Sequence, residues 1–163
     1  MFPSHEYLYH LHIPYTTATF SLTTPKGAAS VAQVLGLSVQ LTVKTLIFET
    51  DSGEKTLIMV GGDVNVISGH LKEVLGSRNI QLASPETVKE TTGNQIGSIP
   101  PFSRQSQGFR TFLDLELTHQ SILAVGAGVW GNEILITPAN LIKASKAKVV
   151  NLTNRDQPIF QSQ

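Results

Sequence analysis

The sequence predicts an α/β (α+β) domain in which short helices flank a mostly antiparallel β-sheet. Runs rich in β-branched and aromatic residues lie between turn-forming residues, above all in the stretch 41–63. Thr-Pro or Ser-Pro pairs at 24–25, 84–85 and 137–138 each open a predicted helix. A chain of 163 residues with 40% hydrophobic content is long enough for one hydrophobic core.

The N-terminal third predicts a short helix over 6–11, a strand over 15–22 and a helix that ends at Gly36. The histidines of the first segment resemble a zinc-protease motif. That motif has two residues between its glutamate and its second histidine, whereas three separate Glu6 from His10. We therefore assign no metal.

The central stretch predicts a β-hairpin with one lysine in the middle of its first strand. Residues 42–49 and 55–60 form the strands, and 51–53 supply the turn. Lys44 and Leu46 share one face because strand side chains alternate, and both faces are mostly apolar, so we expect a covered, central strand. The lysine either reaches solvent, pairs with a carboxylate or serves a function, and the pattern leaves these alternatives open.

The middle third predicts a helix over 66–75, a strand over 80–83 and a second helix from 84 to 93. The loop 93–102 carries two glycines and then two prolines, which cannot continue a helix. A rigid loop of this kind with exposed N–H groups could hold a carbonyl oxygen or a phosphate. Composition alone favours a plain connection between a helix and a strand.

The C-terminal third predicts strands over 110–113, 121–125 and 132–136, with a turn or short helix over 114–117. Segment 126–131 reads GAGVWG, which matches the G-x-G-x-x-G dinucleotide fingerprint. The fingerprint must open a helix and needs an acidic residue about twenty positions later, and both features are missing. We interpret the segment as a glycine-rich turn between two strands.

The last predicted helix begins at 137–138 and is followed by a small basic cluster of three lysines, at 143, 146 and 148. We expect a single domain over residues 1–150. The polar residues 151–163 predict a mobile C-terminal tail.

Composition excludes several classes of function. Lys+Arg and Asp+Glu both number 12, so no global field attracts polyanions, and any nucleic-acid contact must use a local patch. The absence of cysteine excludes disulfides, thiolate metal sites and a cysteine nucleophile. The N-terminus lacks the features of a signal peptide and no apolar run spans a bilayer, so we expect a soluble cytoplasmic protein with no membrane contact and no cofactor.

Short motifs follow one another along residues 13–142: VKTLIFET, a glycine loop that ends in Pro-Phe, FLDLEL, AGVWG and ITPANLI. In this order and spacing they resemble the YbaK/prolyl-tRNA-synthetase-associated domain family. The resemblance implies a mixed, mostly antiparallel sheet or partial barrel with flanking helices. It also implies an aminoacyl-tRNA deacylase that acts in trans or as an inserted editing domain.

The same resemblance places the family's catalytic lysine at Lys44 and its glycine-to-proline loop at Gly97 and Pro101. Many members have serine and aspartate where this chain has Gly126 and Asn140, which leaves the choice of substrate open. The substrate-binding residues that we expect are Leu46, Ser98, Ile99, Gly126, Gly128 and Asp114.

The implied substrate is the ester between a small amino acid and the 3′-terminal adenosine of a tRNA, with Ala or Cys on tRNA(Pro) as the family's common cases. Lys44 would engage the terminal phosphate or the carbonyl region. N–H groups of the Gly97 loop would stabilise charge on the carbonyl oxygen, and one such donor is worth roughly 3 kcal/mol. The partners are then the aminoacylated tRNA and a synthetase that could deliver it. The alternatives are a non-catalytic module that binds tRNA or a synthetase, and a small-molecule hydrolase or protein-interaction domain.

Overall fold

The computed structural model describes residues 2–102 and 108–160. Within these ranges, strands alternate with short helices. The α-helices are α1 (Pro3–His10), α2 (Ala28–Leu35), α3 (Ser68–Leu75), α4 (Pro85–Thr92) and α5 (Pro138–Ser145). The strands are β1 (Thr16–Thr19), β2 (Val43–Thr50), β3 (Lys55–Gly61), β4 (Ile80–Leu82), β5 (Arg110–Asp114), β6 (Leu123–Gly126), β7 (Asn132–Ile136) and β8 (Lys148–Val150).

The strands form two sheets. The larger has the order β4-β2-β3-β5-β8, and its β2 is antiparallel to β3 and β4, whereas β3, β5 and β8 run parallel. The smaller sheet has the antiparallel order β1-β7-β6. A parallel bridge between Thr42 and Ala124 joins the two sheets. The predicted α/β class with a mixed sheet and flanking helices is confirmed, and the described strands do not close into a barrel.

The predicted hairpin is β2 and β3, with Lys44 opposite Val60. Strand β3 lies in the middle of the larger sheet and is buried on both faces. Leu57 and Met59 belong to the larger hydrophobic core, which extends over α1, α4, α5 and the smaller sheet. Ile58 and Val60 belong to a second core that α3 covers. Strand β3 is therefore covered on both sides, whereas β2, the strand that the sequence predicts to be central and covered, is mostly half-buried and is paired with β4 only at residues 48–50.

Two of the three hydroxyl–proline pairs begin helices where the sequence predicts them. The hydroxyls of Ser84 and Thr137 each accept a hydrogen bond from the N–H three residues on, at 3.1 and 3.3 Å. The first pair does not, because Gly27 is the residue before α2 and has a φ of 114°. The helix consequently begins at Ala28 instead of Pro25 and leaves residues 24–27 as a loop.

The end of the chain differs from the mobile tail that its polar sequence predicts. Leu152 is fully buried, and the Asn151 N–H donates to the Ile159 carbonyl at 2.8 Å. Just before them, β8 is a strand that the sequence did not predict, and it begins at Lys148 of the basic cluster. Residues 151–160 thus pack onto the domain because Leu152 contributes to the second core. None of the described helices has the length and apolar composition needed to cross a bilayer.

Candidate active site

One mostly apolar pocket of about 240 Å³ lies beside the first half of β2. The start of α2, the loop 93–102 and the strands β6 and β7 form its other walls. Five predicted site residues line it together: Lys44, Leu46, Gly97, Ile99 and Gly126. Other residues of the wall were not predicted from the sequence, among them Lys26, Thr45, Trp130 and Glu133.

The edge of β2 is open where it borders the pocket. Strand β4 pairs only with residues 48–50 of β2, and the bridge at Thr42 is the nearest pairing on the other side. The bond from Gly62 N–H to Thr42 O shows that even-numbered residues of β2 direct their main-chain groups to β3. The N–H and C=O of Thr45 therefore point away from β3, along the pocket edge. Among the described residues no strand pairs with them.

The glycine-to-proline loop is tied to the turn between β6 and β7. Gly128 N–H donates to the Ser98 carbonyl at 2.8 Å, and the Asn94 side chain donates to the Gly128 carbonyl at 3.2 Å. Gly97 has a φ of 95°, a left-handed conformation that favours glycine. Gly126 lies so close to the loop that a Cβ would stand 2.7 Å from the Ser98 carbonyl carbon. Gly126 thus allows the loop to approach the sheet.

Lys44 is half-buried and lines the pocket. Its Nζ donates a hydrogen bond to the Val64 carbonyl at 2.5 Å, which satisfies one of its three N–H donors. No carboxylate of the described residues pairs with it, which removes one of the alternatives that the sequence left open. The lysine lies on a wall of the pocket that Gly97 also lines.

Four predicted site residues lie outside the pocket lining: Ser98, Pro101, Asp114 and Gly128, the last of which is hydrogen-bonded to the Ser98 carbonyl. The Ser98 hydroxyl donates to the Gln95 carbonyl at 3.0 Å within its own loop, and Pro101 is a buried residue near the end of that loop. Asp114 is fully buried and accepts hydrogen bonds from Leu152 N–H at 2.7 Å and from Thr153 Oγ1 at 2.6 Å. The expectation that Asp114 contacts substrate is not supported by this geometry, because the carboxylate holds the C-terminal segment.

An aromatic corner forms one wall of the pocket. The Lys26 ammonium stands 3.7 Å from the centroid of the Trp130 ring, and Phe20 meets that ring edge-on at 4.9 Å. Trp130 Nε1 is buried without a hydrogen-bond partner among the described residues. Trp130 is the only tryptophan of the chain and lies in the glycine-rich turn. A single tryptophan within a glycine-rich turn was the sequence feature that could have predicted this wall.

Glu133 is the most unusual residue of the pocket. It is only 7% exposed, and its Oε2 has no hydrogen-bond partner among the described residues. Burial raises the pKa of this carboxyl to about 8. Native proteins rarely leave a buried polar atom unpaired, so Glu133 and Trp130 together indicate a site that a ligand or water completes. A charged residue within an otherwise apolar strand was the sequence signal, as it was for Lys44.

Metal chemistry has no ligand set in the described ranges. No group of three or more His, Cys, Asp or Glu side chains is placed there to hold an ion. The site therefore offers ammonium groups, main-chain N–H donors and one carboxyl.

Solved structures of known proteins share this fold. The structure of hypothetical protein APE2540 matches with a TM-score of 0.83 and 23% identity over 92% of this chain and 98% of that one. A protein described as a candidate trans-editing enzyme for prolyl-tRNA synthetase matches with a TM-score of 0.79 and 24% identity, over 94% of this chain and 99% of that one. At such identities these matches establish the fold.

Sequence relatives include synthetases. The proline–tRNA ligase of Nitratidesulfovibrio vulgaris (strain DP4) is 36% identical over 117 residues, which are 70% of this chain and 20% of the ligase. Uncharacterized protein YwhH of Bacillus subtilis (strain 168) is 27% identical over 72% of this chain and 74% of its own length. The match to the ligase of Pelobacter propionicus (strain DSM 2379 / NBRC 103807 / OttBd1), 32% identical over 63% of this chain, likewise spans only 18% of that protein.

The sequence profile of a family described as the aminoacyl-tRNA editing domain matches residues 25–144. This range contains every residue that lines the pocket, from Lys26 to Glu133. The chain belongs to the aminoacyl-tRNA editing domain family.

Proposed function

We propose that the protein is a trans-editing aminoacyl-tRNA deacylase that hydrolyses the ester of mischarged tRNA. Its substrate would carry a small amino acid such as Ala or Cys on tRNA(Pro), in the cytoplasm where tRNA is charged. The observation that carries the proposal is the pocket that Lys44, the Gly97 loop and the open edge of β2 line together.

The size and lining of the pocket favour a small amino acid. A space of about 240 Å³ has to accept the aminoacyl group and part of the terminal ribose. Little room is then left beyond a short side chain between Leu46 and Ile99. Such a pocket complements a synthetase, because an extra methylene changes binding by only about 1–3 kcal/mol and smaller amino acids enter the synthetic site.

The walls supply groups that suit ester hydrolysis. A water oxygen attacks the carbonyl carbon, the bond from that carbon to the ribose oxygen breaks, and the ribose oxygen takes a proton. Negative charge develops on the carbonyl oxygen during the attack. The N–H groups of the Gly97 loop and of Thr45 border this space and would stabilise that charge, as would the ammonium of Lys44. A contact between Lys44 and substrate requires the lysine to share or leave its bond to Val64.

The pocket mouth also suits the terminal phosphate of a tRNA. Helix α2 begins at the pocket wall, and its first N–H groups receive no side-chain cap. Helix N-termini attract phosphate, and Lys26 adds a positive charge beside this one. This local patch provides the anion contact that a chain with no net charge needs.

The relatives support the choice of tRNA. Several are proline–tRNA ligases, and a structural neighbour is described as a candidate trans-editing enzyme for prolyl-tRNA synthetase. This chain spans about a fifth of the length of those ligases. We propose a prolyl-tRNA synthetase as the partner that delivers the substrate, since these relatives are enzymes that charge tRNA with proline.

The test is a deacylation assay with the purified protein. The panel contains Ala-, Cys- and Ser-tRNA(Pro), with Pro-tRNA(Pro) as the cognate control. We expect hydrolysis of at least one mischarged tRNA and sparing of Pro-tRNA(Pro). Lys44→Ala should lower kcat/KM by about 100-fold or more, the effect of losing one group that stabilises the transition state.

Lys55→Ala is the matched control for this variant. Lys55 is also a lysine of the hairpin, but it lies opposite Glu49 at the far end and outside the pocket. Its removal should leave turnover unchanged. Full activity of a folded Lys44→Ala variant would refute the role of the lysine. Binding of mischarged tRNA by the wild-type protein without cleavage would favour the non-catalytic module.

A further inference from the structure

We propose that Glu133 binds the α-amino group of the aminoacyl ester, so that the site selects esters with a free amine. The inference rests on the proposed function and names the chemical group by which the pocket recognises its substrate. Glu133 would thus be a residue that determines specificity and orients the substrate.

Geometry places this carboxyl next to the reacting group. Glu133 lies opposite Gly126 in the β6–β7 pairing, and directly paired Cα atoms are about 5 Å apart. Gly126 in turn packs against the backbone of Ser98, in the loop that would hold the carbonyl oxygen. The α-amino nitrogen of an aminoacyl ester is two bonds from its carbonyl carbon. A carboxyl one strand away from the loop therefore suits the amine when the loop holds the carbonyl.

The carboxyl has no partner within the described protein. Its Oε2 is buried and makes no hydrogen bond with the described residues, and the residue as a whole is only 7% exposed. The residues opposite it on the neighbouring strands, Ala18 and Gly126, carry no charge. Two ammonium groups line the same pocket, but Lys44 donates to Val64 and Lys26 lies over Trp130. Neither satisfies Glu133, which leaves its oxygen for a ligand.

An amine is the group that best matches this acid. Burial raises the pKa of Glu133 to about 8, so that this carboxyl and an α-amino group titrate in the same broad range of pH. A carboxylic acid with a neutral amine and a carboxylate with an ammonium contain the same number of protons. Either form is a pair with no net charge, which an apolar pocket accepts at far lower cost than a single ion. At neutral pH the empty pocket holds the acid form, and binding of an ammonium releases one proton.

The pairing of Glu133 with an amine would make the pocket discriminate among esters by the group on the α-carbon. An acylated amine, as in peptidyl-tRNA or formylaminoacyl-tRNA, cannot pair with the carboxyl and leaves Glu133 unsatisfied. An α-hydroxy ester retains the shape of the substrate but lacks the charged partner. The pocket should therefore discriminate among esters by the amine as well as by the size of the side chain.

The experiment measures hydrolysis of two substrates by each of two proteins. Alanyl-tRNA(Pro) and lactyl-tRNA(Pro), which has a hydroxyl in place of the amine, are assayed with the wild-type protein and with Glu133→Gln. We expect wild-type kcat/KM to be about 10- to 100-fold lower for lactyl-tRNA, the range for one hydrogen bond to a charged group. Glu133→Gln should lower kcat/KM for alanyl-tRNA by a similar factor, mainly through KM, and for lactyl-tRNA by less than about threefold.

Glu49→Gln is the matched control, because Glu49 is a strand glutamate outside this pocket and its substitution should change neither rate. Equal wild-type rates on the two substrates would overturn the inference, even if Glu133→Gln failed to fold. Equal losses on both substrates in a folded Glu133→Gln protein would also overturn it. Absence of wild-type hydrolysis of any charged tRNA would instead refute the proposed function itself.

Discussion

Two buried carboxyls, Asp114 and Glu133, show how the same chemical group serves two regions of this molecule. Burial raises the pKa of both. Asp114, at the end of β5, has each oxygen bonded, one to Leu152 N–H and the other to the Thr153 hydroxyl. Glu133, on β7, has a buried oxygen without a partner and faces a pocket.

The contrast between Asp114 and Glu133 shows that burial alone does not identify a functional acid. A buried carboxyl that the fold satisfies stabilises the fold, and Asp114 holds residues 151–160 against the domain in this way. A buried carboxyl that the fold leaves unsatisfied beside a cavity is completed by something else. Substitutions of the two acids should therefore separate stability from activity.

The largest effect is expected for Asp114→Ala. This change removes two hydrogen bonds to a buried carboxyl and leaves the Leu152 N–H unpaired, which should lower the free energy of unfolding by about 4 kcal/mol. Urea unfolding followed by circular dichroism measures the loss. Deacylation per folded molecule should stay at the wild-type level because Asp114 lies outside the pocket. A stable variant with impaired turnover would reverse the roles that we assign to the two acids.

The second prediction concerns the pH dependence of stability through Glu133. The pKa of about 8 in the folded protein exceeds the ordinary glutamate value of 4.5, so the native state binds the extra proton between these pH values. The contribution of Glu133 protonation to the free energy of unfolding is therefore complete below pH 4.5, and it is lost as the pH rises toward 8. Linkage gives a loss of roughly 3 kcal/mol between pH 4.5 and 7, as an order of magnitude.

Glu133→Gln should remove this loss, because the amide does not titrate. Urea midpoints at pH 5 and pH 8 measure the effect for both proteins, and the variant should be the less pH-dependent of the two. The raised pKa of Asp114 contributes the same slope to both proteins and cancels in the comparison. Parallel pH profiles for the two proteins would show that the buried acid does not hold its proton.

The sequence predicts the fold well where local chemistry decides. The hairpin of β2 and β3, the capped starts of α4 and α5 and the glycine turn at 126–131 follow from turn and capping residues. The start of α2 and the packing of 151–160 do not. At α2, the positive φ of Gly27 prevents the helix from starting at the Thr24-Pro25 pair. Leu152 packs into the second core, which residues far away in the sequence form.

The site is predictable to a similar degree. Lys44 and Gly97 stand out in the sequence as a charge in an apolar strand and a glycine in a stiff loop, and the fold brings them to one pocket. Glu133 shows the same signal as Lys44, but its burial and missing partner depend on strand pairing that the sequence does not display. Asp114 lies in the segment FLDLEL, and only its contacts reveal that it holds the C-terminal segment.

The smallest effect is expected for Gly126→Ala, on the pocket side of the comparison. The added Cβ would stand 2.7 Å from the Ser98 carbonyl carbon and 2.9 Å from its oxygen, and both atoms are backbone. The loop must shift away from β6, which should cost about 2 kcal/mol of stability. It should also lower kcat/KM, because the N–H groups of the loop move with Ser98. Gly69→Ala is the control, since nothing lies within 4 Å of that Cβ and alanine favours the helix that contains it. Equal behaviour of the two variants would show that the close approach of the loop at Gly126 is not needed, and the small residue there would then have no part in shaping the pocket.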